Sequence, residues 1–147
     1  MDYQKLVTQV RALTEGVPHV ISNLANTSAA IWQEMENINW AGFYLLEQGK
    51  LVLGPFQGKP ACIEIPIGKG VCGAAVKEEK TILVEDVHAF PGHIACDSAS
   101  NSEIVVPIFK NETIYGVLDI DSPYVARFTE EDQRGLEQLV RELEKTL

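Results

Sequence analysis

Positive charge is what this sequence has least of. Twelve Lys and Arg stand against 21 Asp and Glu, a formal net charge of −9. No basic stripe exists to neutralise phosphates, so neither nucleic acid nor an anionic membrane surface is an expected partner. Long hydrophobic runs are missing as well. No stretch of 18 apolar residues occurs, and no spanning helix is expected. The opening Met1-Asp2-Tyr3-Gln4-Lys5-Leu6 has no basic segment followed by an apolar one, the pattern of a secretory signal, so a cytoplasmic setting is expected. Cysteine is sparse, three in 147 residues. In a reducing compartment these are not expected to be structural disulfides; catalytic, metal-binding and buried thiols remain. Phosphate-binding signatures are lacking too. Gly68-Lys69-Gly70 does not have the P-loop spacing, and no Gly-x-Gly-x-x-Gly follows a strand; its glycines read as a tight turn before a helix.

What is present is ordinary globular material, 46% apolar and 22% charged, of a length expected to form one domain over residues 1–147. Residues 2–36 carry helical periodicity, broken at Gly16 and Pro18: Leu6, Val10 and Leu13 form the first stripe, and Val20, Ile21, Leu24, Ala25, Ile31 and Met35 the second. Trp40 to Leu46 reads as a strand turning through Glu47–Lys50 into a short strand over Leu51–Leu53. Gly54 to Pro60 reads as a loop, Cys62 to Ile67 as a short strand, Val71 to Val76 as a short helix and Thr81 to Val84 as a strand. Residues 85–102 show no period, and so long an irregular stretch in a compact domain is either functional or disordered. Glu103–Phe109 and Thr113–Ile120 read as a hairpin turned by Asn111-Glu112. A last helix begins at the N-cap Thr129, with Asp132 three residues on and Leu136, Leu139, Val140, Leu143 and Leu147 behind it. Hairpins imply antiparallel pairing. The expected class is therefore α+β, a single antiparallel sheet with helices packed on one face.

Three groups of residues can carry chemistry. Cys72, in an apolar stretch, suits a buried small hydrophobe. Cys96, beside Asp97 in the polar segment, suits a thiol redox site better. His88 and His93 lie near Cys96 and Asp97, but without a Cys-x-x-Cys pair this is a weak zinc signature, and no metal or cofactor is expected. His88 reads as a hydrogen-bonding loop residue, and His93 either as a support for the backbone or as a catalytic residue. Asp119 and Asp121 flank Ile120 and so point to one face of a strand end, with Glu103 opening the neighbouring strand. These acids either meet solvent or build a site for a ligand ammonium that relieves their mutual repulsion. Trp40 reads as core packing or as an apolar pocket wall.

The segment from Gly92-His93-Ile94-Ala95-Cys96-Asp97 to Glu103-Ile104-Val105, with Gly68-Lys69-Gly70-Val71-Cys72-Gly73 and Gly116-Val117-Leu118-Asp119-Ile120-Asp121-Ser122, resembles the free methionine-(R)-sulfoxide reductases, single GAF-domain enzymes. The similarity runs over essentially the whole chain. It implies a GAF-like domain with a six-stranded antiparallel sheet, helices on one side and the active pocket on the other. It implies that Cys96 is the nucleophile, that Cys62 forms the disulfide with it, and that Cys72 is an accessory or alternative resolving thiol. Glu103, Asp119 and Asp121 match the substrate-binding acids of that family, and Trp40 the aromatic that meets the substrate methyl. Thioredoxin as reductant and a homodimer are also implied. The same fold serves elsewhere as a small-molecule sensor without turnover, the alternative function for this chain.

Overall fold

The computed structural model describes residues 1–94, 96 and 98–147. Its elements run α1 (Tyr3–Thr14), α2 (Val20–Glu34), β1 (Trp40–Glu47), β2 (Lys50–Gly58), β3 (Glu64–Pro66), α3 (Gly70–Glu78), β4 (Ile82–Val84), a 3₁₀ turn (Val87–Ala89), β5 (Ser102–Lys110), β6 (Thr113–Ser122) and α4 (Glu130–Glu144). The strands form one six-stranded sheet in the order β3-β2-β1-β6-β5-β4. Every neighbouring pair is antiparallel. This is the GAF-like α+β architecture that the resemblance implies.

Alternation along the central strands decides what each face of the sheet does. Ala41, Phe43, Ile104, Val106, Ile108, Leu118 and Ile120 point to one face, where they are buried under α1, α2 and α4 with Leu6, Val10, Leu24, Ile31, Leu136, Leu139, Val140 and Leu143. Each large aliphatic or aromatic side chain among them contributes about 1.5–3 kcal/mol on full burial. Trp40, Tyr44, Val105 and Val117 point to the other face, covered by α3 through Val71, Cys72, Ala75 and Val76. The three long helices thus share one face, and the short α3 and the 3₁₀ turn, through Val87, pack on the opposite one.

Local chemistry explains the ends of the elements. At α4, Thr129 and Asp132 make a reciprocal capping box: the Asp132 N–H donates to Thr129 Oγ1 (3.3 Å) and the Thr129 N–H to Asp132 Oδ2 (2.9 Å). The Tyr3 hydroxyl also donates to Asp132, at 2.5 Å, tying α1 to the start of α4. Gln48-Gly49 and Asn111-Glu112 close two-residue hairpins with positive φ at both positions (50° and 81°; 52° and 66°), the left-handed pair that suits the twist of the strands.

Two sequence expectations change. β2 does not stop at Leu53, and Gly54–Pro60 is not simply a loop. Between the pairs Tyr44↔Leu53 and Gly42↔Phe56 the register shifts, so that Gly54 and Pro55 together oppose Phe43 as a bulge, and pairing resumes to Gly58. β3 pairs only with Lys50–Val52, so β2 beyond that point is an edge and tolerates Pro55. The strand expected over Cys62–Ile67 is confined to Glu64–Pro66, because the Cys62 carbonyl is taken by a side chain, the Tyr44 hydroxyl, instead of a ladder partner.

Candidate active site

The pocket lies on the α3 face, and the sheet register builds it. Trp40 pairs with Asp121 across β1 and β6, and Asp121 with Glu103 across β6 and β5. One row of the sheet therefore presents an aromatic ring and two carboxylates side by side. The second row beyond it aligns Gly42, Asp119 and Val105, so Asp119 stands on the same face. Gly42 is required on steric grounds, since a Cβ there would lie 2.3 Å from Phe56 Cβ and 2.9 Å from the Trp40 ring. Its absence lets Phe56 stack on Trp40, with ring centroids 5.1 Å apart and planes at 15°. Trp40 also stacks on Tyr44 at 5.8 Å and donates its indole N–H to the Lys59 carbonyl (3.0 Å). The ring is locked, as a preformed wall requires.

α3 supplies the opposite side. Gly68 and Gly70 take φ of +84° and +61°, and the Gly70 N–H donates to the Gly92 carbonyl (3.1 Å), which ties the start of the helix to the irregular segment. α3 passes so close to β3 that a Cβ at Gly73 would lie 2.6 Å from the Pro66 carbonyl oxygen. Cys72 is thereby pressed against the acids, buried and free. The irregular segment is pinned near its ends: the His88 ring Nε2 meets Asn101 Oδ1 at 2.9 Å, and the Val87 N–H donates to the Asn101 carbonyl at 2.9 Å. Within it, His93, Ile94, Cys96 and Ser100 line the pocket. Cys96 is joined to Cys62 in a disulfide across 34 residues of sequence, with Cα atoms 5.4 Å apart. The space left in this oxidised state is about 40 Å³.

Burial governs the electrostatics. Glu103, Asp119 and Asp121 are 7%, 5% and 9% exposed, so they are largely withdrawn from solvent. Burial, then the charges of Asp119 and Asp121, pushes the Glu103 carboxyl well above the usual carboxylate range. Asp119 is also raised by burial, but hydrogen bonds to Glu103 and Cys72 act the other way and favour its anion. The consistent arrangement has the proton on Glu103, donated toward an ionised Asp119. Burial and the surrounding acids push the Cys72 thiol far up, so it stays protonated. His93 is shifted down by burial and by His88, which keeps its ring neutral near pH 7. Among the described lining residues no Lys or Arg appears.

Seven of the residues marked from sequence thus line one pocket: Trp40, Cys72, His93, Cys96, Glu103, Asp119 and Asp121. Cys62 is bonded to one of them. Of the His-centred metal grouping, His88 is engaged with Asn101 and the Cys96 sulfur is in the disulfide, while Asp97 lies outside the described residues. Among the described residues the group that could hold a metal ion is instead Cys72, Glu103 and Asp119, whose donor atoms lie within 4.8 Å of one another. Tyr44 is a lining residue that the sequence motifs do not single out. A signal for it exists, since Trp40 and Tyr44 are four apart on one strand and so share a face.

An acid-lined pocket with a stacked aromatic wall, sealed by a cysteine pair from two loops, defines a thiol–disulfide centre built into a small-molecule-binding domain. The GAF domain family model matches residues 6–147. The free methionine-R-sulfoxide reductase of Escherichia coli (strain K12) is 57% identical over 145 residues, covering 99% of this chain and 88% of that protein. The protein of the same description from Saccharomyces cerevisiae is 43% identical over 151 residues, covering 97% and 84%. Among solved structures, Staphylococcus aureus fRMsr in its reduced form superposes with a TM-score of 0.97 at 56% identity, covering 99% of this chain and 95% of that one. The same enzyme in complex with substrate gives 0.96 at 55% identity, with the same coverage. The chain belongs to the free methionine-R-sulfoxide reductase family of GAF-domain proteins.

Proposed function

We propose that this protein reduces free L-methionine (R)-S-oxide to L-methionine by thiol chemistry, within a single GAF domain spanning residues 1–147. The observation that carries this reading is the Cys62–Cys96 disulfide at a pocket lined by three buried carboxylates. Asp119 and Asp121 pair with the substrate ammonium, a group a peptide-bound residue lacks, which selects the free amino acid. The Trp40 ring packs against the substrate methyl.

The Cys96 thiolate attacks the sulfoxide sulfur while Glu103, the acid that keeps its proton, protonates the oxygen. The sulfur–sulfur bond made in that attack then breaks as the protonated oxygen passes from the substrate sulfur to the Cys96 sulfur: the substrate S–O bond breaks, a Cys96 S–O bond forms, methionine leaves and Cys96 becomes a sulfenic acid, so that the substrate sulfur is reduced by two electrons and Cys96 is oxidised by two. Cys62 then condenses with the sulfenic acid, forming the S–S bond and releasing water. Cys72 serves as the accessory thiol, its raised pKa keeping it in reserve as a protonated group. A dithiol such as thioredoxin reopens the disulfide by exchange, with the cytoplasm as the reducing setting. A homodimer in solution completes this reading.

The test is consumption of each methionine sulfoxide diastereomer, free and N-acetylated, by wild type and Cys96→Ser, with dithiothreitol or thioredoxin as reductant. Loss of the free R form alone, abolished in Cys96→Ser, is expected. Binding without turnover of any form would move the assignment to a sensing module. Support of turnover by dithiothreitol and not by thioredoxin would remove thioredoxin as reductant. Light scattering reads the dimer.

A further inference from the structure

The segment between β2 and β3 that carries Cys62 has no helix or strand of its own. It is held instead by its carbonyls. Trp40 Nε1 donates to the Lys59 carbonyl (3.0 Å), the Tyr44 hydroxyl to the Cys62 carbonyl (2.8 Å) and the Leu53 N–H to the Ile63 carbonyl (2.9 Å). Two of the three donors are side chains of β1, and one acts on the cysteine itself. Tyr44 is fixed for this: it is 1% exposed, it stacks on Trp40, and burial and then Asp119 raise its pKa, so the hydroxyl stays a donor. The contact is with the backbone oxygen of Cys62, not its sulfur, so it is compatible with both the thiol and the disulfide.

We infer that Tyr44 is a positioning residue for the resolving step: its hydroxyl anchors the 59–63 segment so that the Cys62 sulfur stands within reach of Cys96. This rests on the cysteine roles proposed above. The step concerned is attack of the Cys62 sulfur on the Cys96 sulfenic sulfur; the S–S bond forms, the S–O bond breaks, and the hydroxide leaves as water with the Cys62 proton. A substrate-side role for Tyr44 would act on methionine formation. An anchoring role acts on disulfide formation, after methionine is already made.

The experiment is a single turnover without reductant, in a Cys72→Ser background that leaves Cys62 as the one resolving thiol. Methionine formation and disulfide formation are followed separately, with dimedone trapping of the Cys96 sulfenic acid as a third readout. Tyr44→Phe keeps the stacked ring and removes the donor. Within that variant, the rate of disulfide formation relative to methionine formation is expected to fall about five- to tenfold, the scale of one lost hydrogen bond, with dimedone adduct accumulating. Substitution of Tyr44 by 4-aminophenylalanine, which keeps a donor at the same place, is expected to recover the ratio. An unchanged ratio in Tyr44→Phe, or no recovery with the amino analogue, overturns the inference. Failure of the Cys72→Ser parent itself to make methionine, or to form the Cys62–Cys96 bond, overturns the underlying cysteine assignment and this inference with it.

Discussion

Replacing Glu103 by Gln is the sharpest probe of the chemistry. Glu103 is 7% exposed and sits between Asp121, its partner across the sheet, and Asp119, to which it hydrogen-bonds. Gln has the same length, and its amide can still donate to a carboxylate, so the row of side chains stays in place. What disappears is the transferable proton. A positioned general acid contributes about 10²–10⁴ in rate, roughly 3–5 kcal/mol of barrier. The assay is single-turnover formation of methionine by stopped quench, which separates this step from recycling. The expected result is a rate lowered by that factor with substrate affinity changed only a few-fold. The pH dependence carries a sign. The folded-state pKa of Glu103 lies above its unfolded value, so the native state prefers the protonated form. Wild-type activity is therefore expected to fall as pH rises through that raised pKa, and this limb should flatten in Glu103→Gln. Stability follows the same linkage: the favourable difference is fully present below the unfolded pKa and is lost as pH rises through the folded one. The Gln variant is thus expected to lose less stability at alkaline pH than wild type. A methionine-forming rate within tenfold of wild type, or an alkaline limb of unchanged position, would refute the assignment of Glu103 as the acid.

Other perturbations test the frame that holds the site. Reducing the Cys62–Cys96 bond, which spans 34 residues, should cost roughly 4 kcal/mol by loop entropy, read as a melting temperature about 10 °C lower in dithiothreitol. Gly116→Ala would place a Cβ 2.4 Å from the Tyr44 carbonyl oxygen; the strand must shift, and urea unfolding should show a loss of about 1–3 kcal/mol. Thr129→Ala removes one half of the α4 capping box and should cost about 1 kcal/mol, with methionine formation unaffected because the cap lies under the opposite face of the sheet.

Much of the frame is legible in the chain because the relevant signals are local. The Thr129–Asp132 cap and the leucines behind it announce α4, and the turn chemistry of Asn111-Glu112 announces the β5–β6 hairpin. The same holds for the shared face of Asp119 and Asp121, which follows from the period of a strand. β2 is harder to read. Gly54 and Pro55 have the character of loop residues, and only pairing with β1 turns them into a bulge inside a continuing strand. Tyr44 is one more core aromatic until its hydroxyl has a carbonyl to meet.

The residue types themselves settle the chemistry available: one thiol in a polar segment, paired acids at a strand end, and too little positive charge for a polyanion. Family resemblance then ties those types to a reaction. What the chain cannot decide alone is whether the acids meet water or each other, because that depends on α3 packing over their face of the sheet. Nor can local sequence bring Cys62 to Cys96 across 34 residues of chain. Burial and long-range proximity are properties of the packed sheet. They are what raise the Glu103 pKa, lock the Trp40 ring and turn separate side chains into one site.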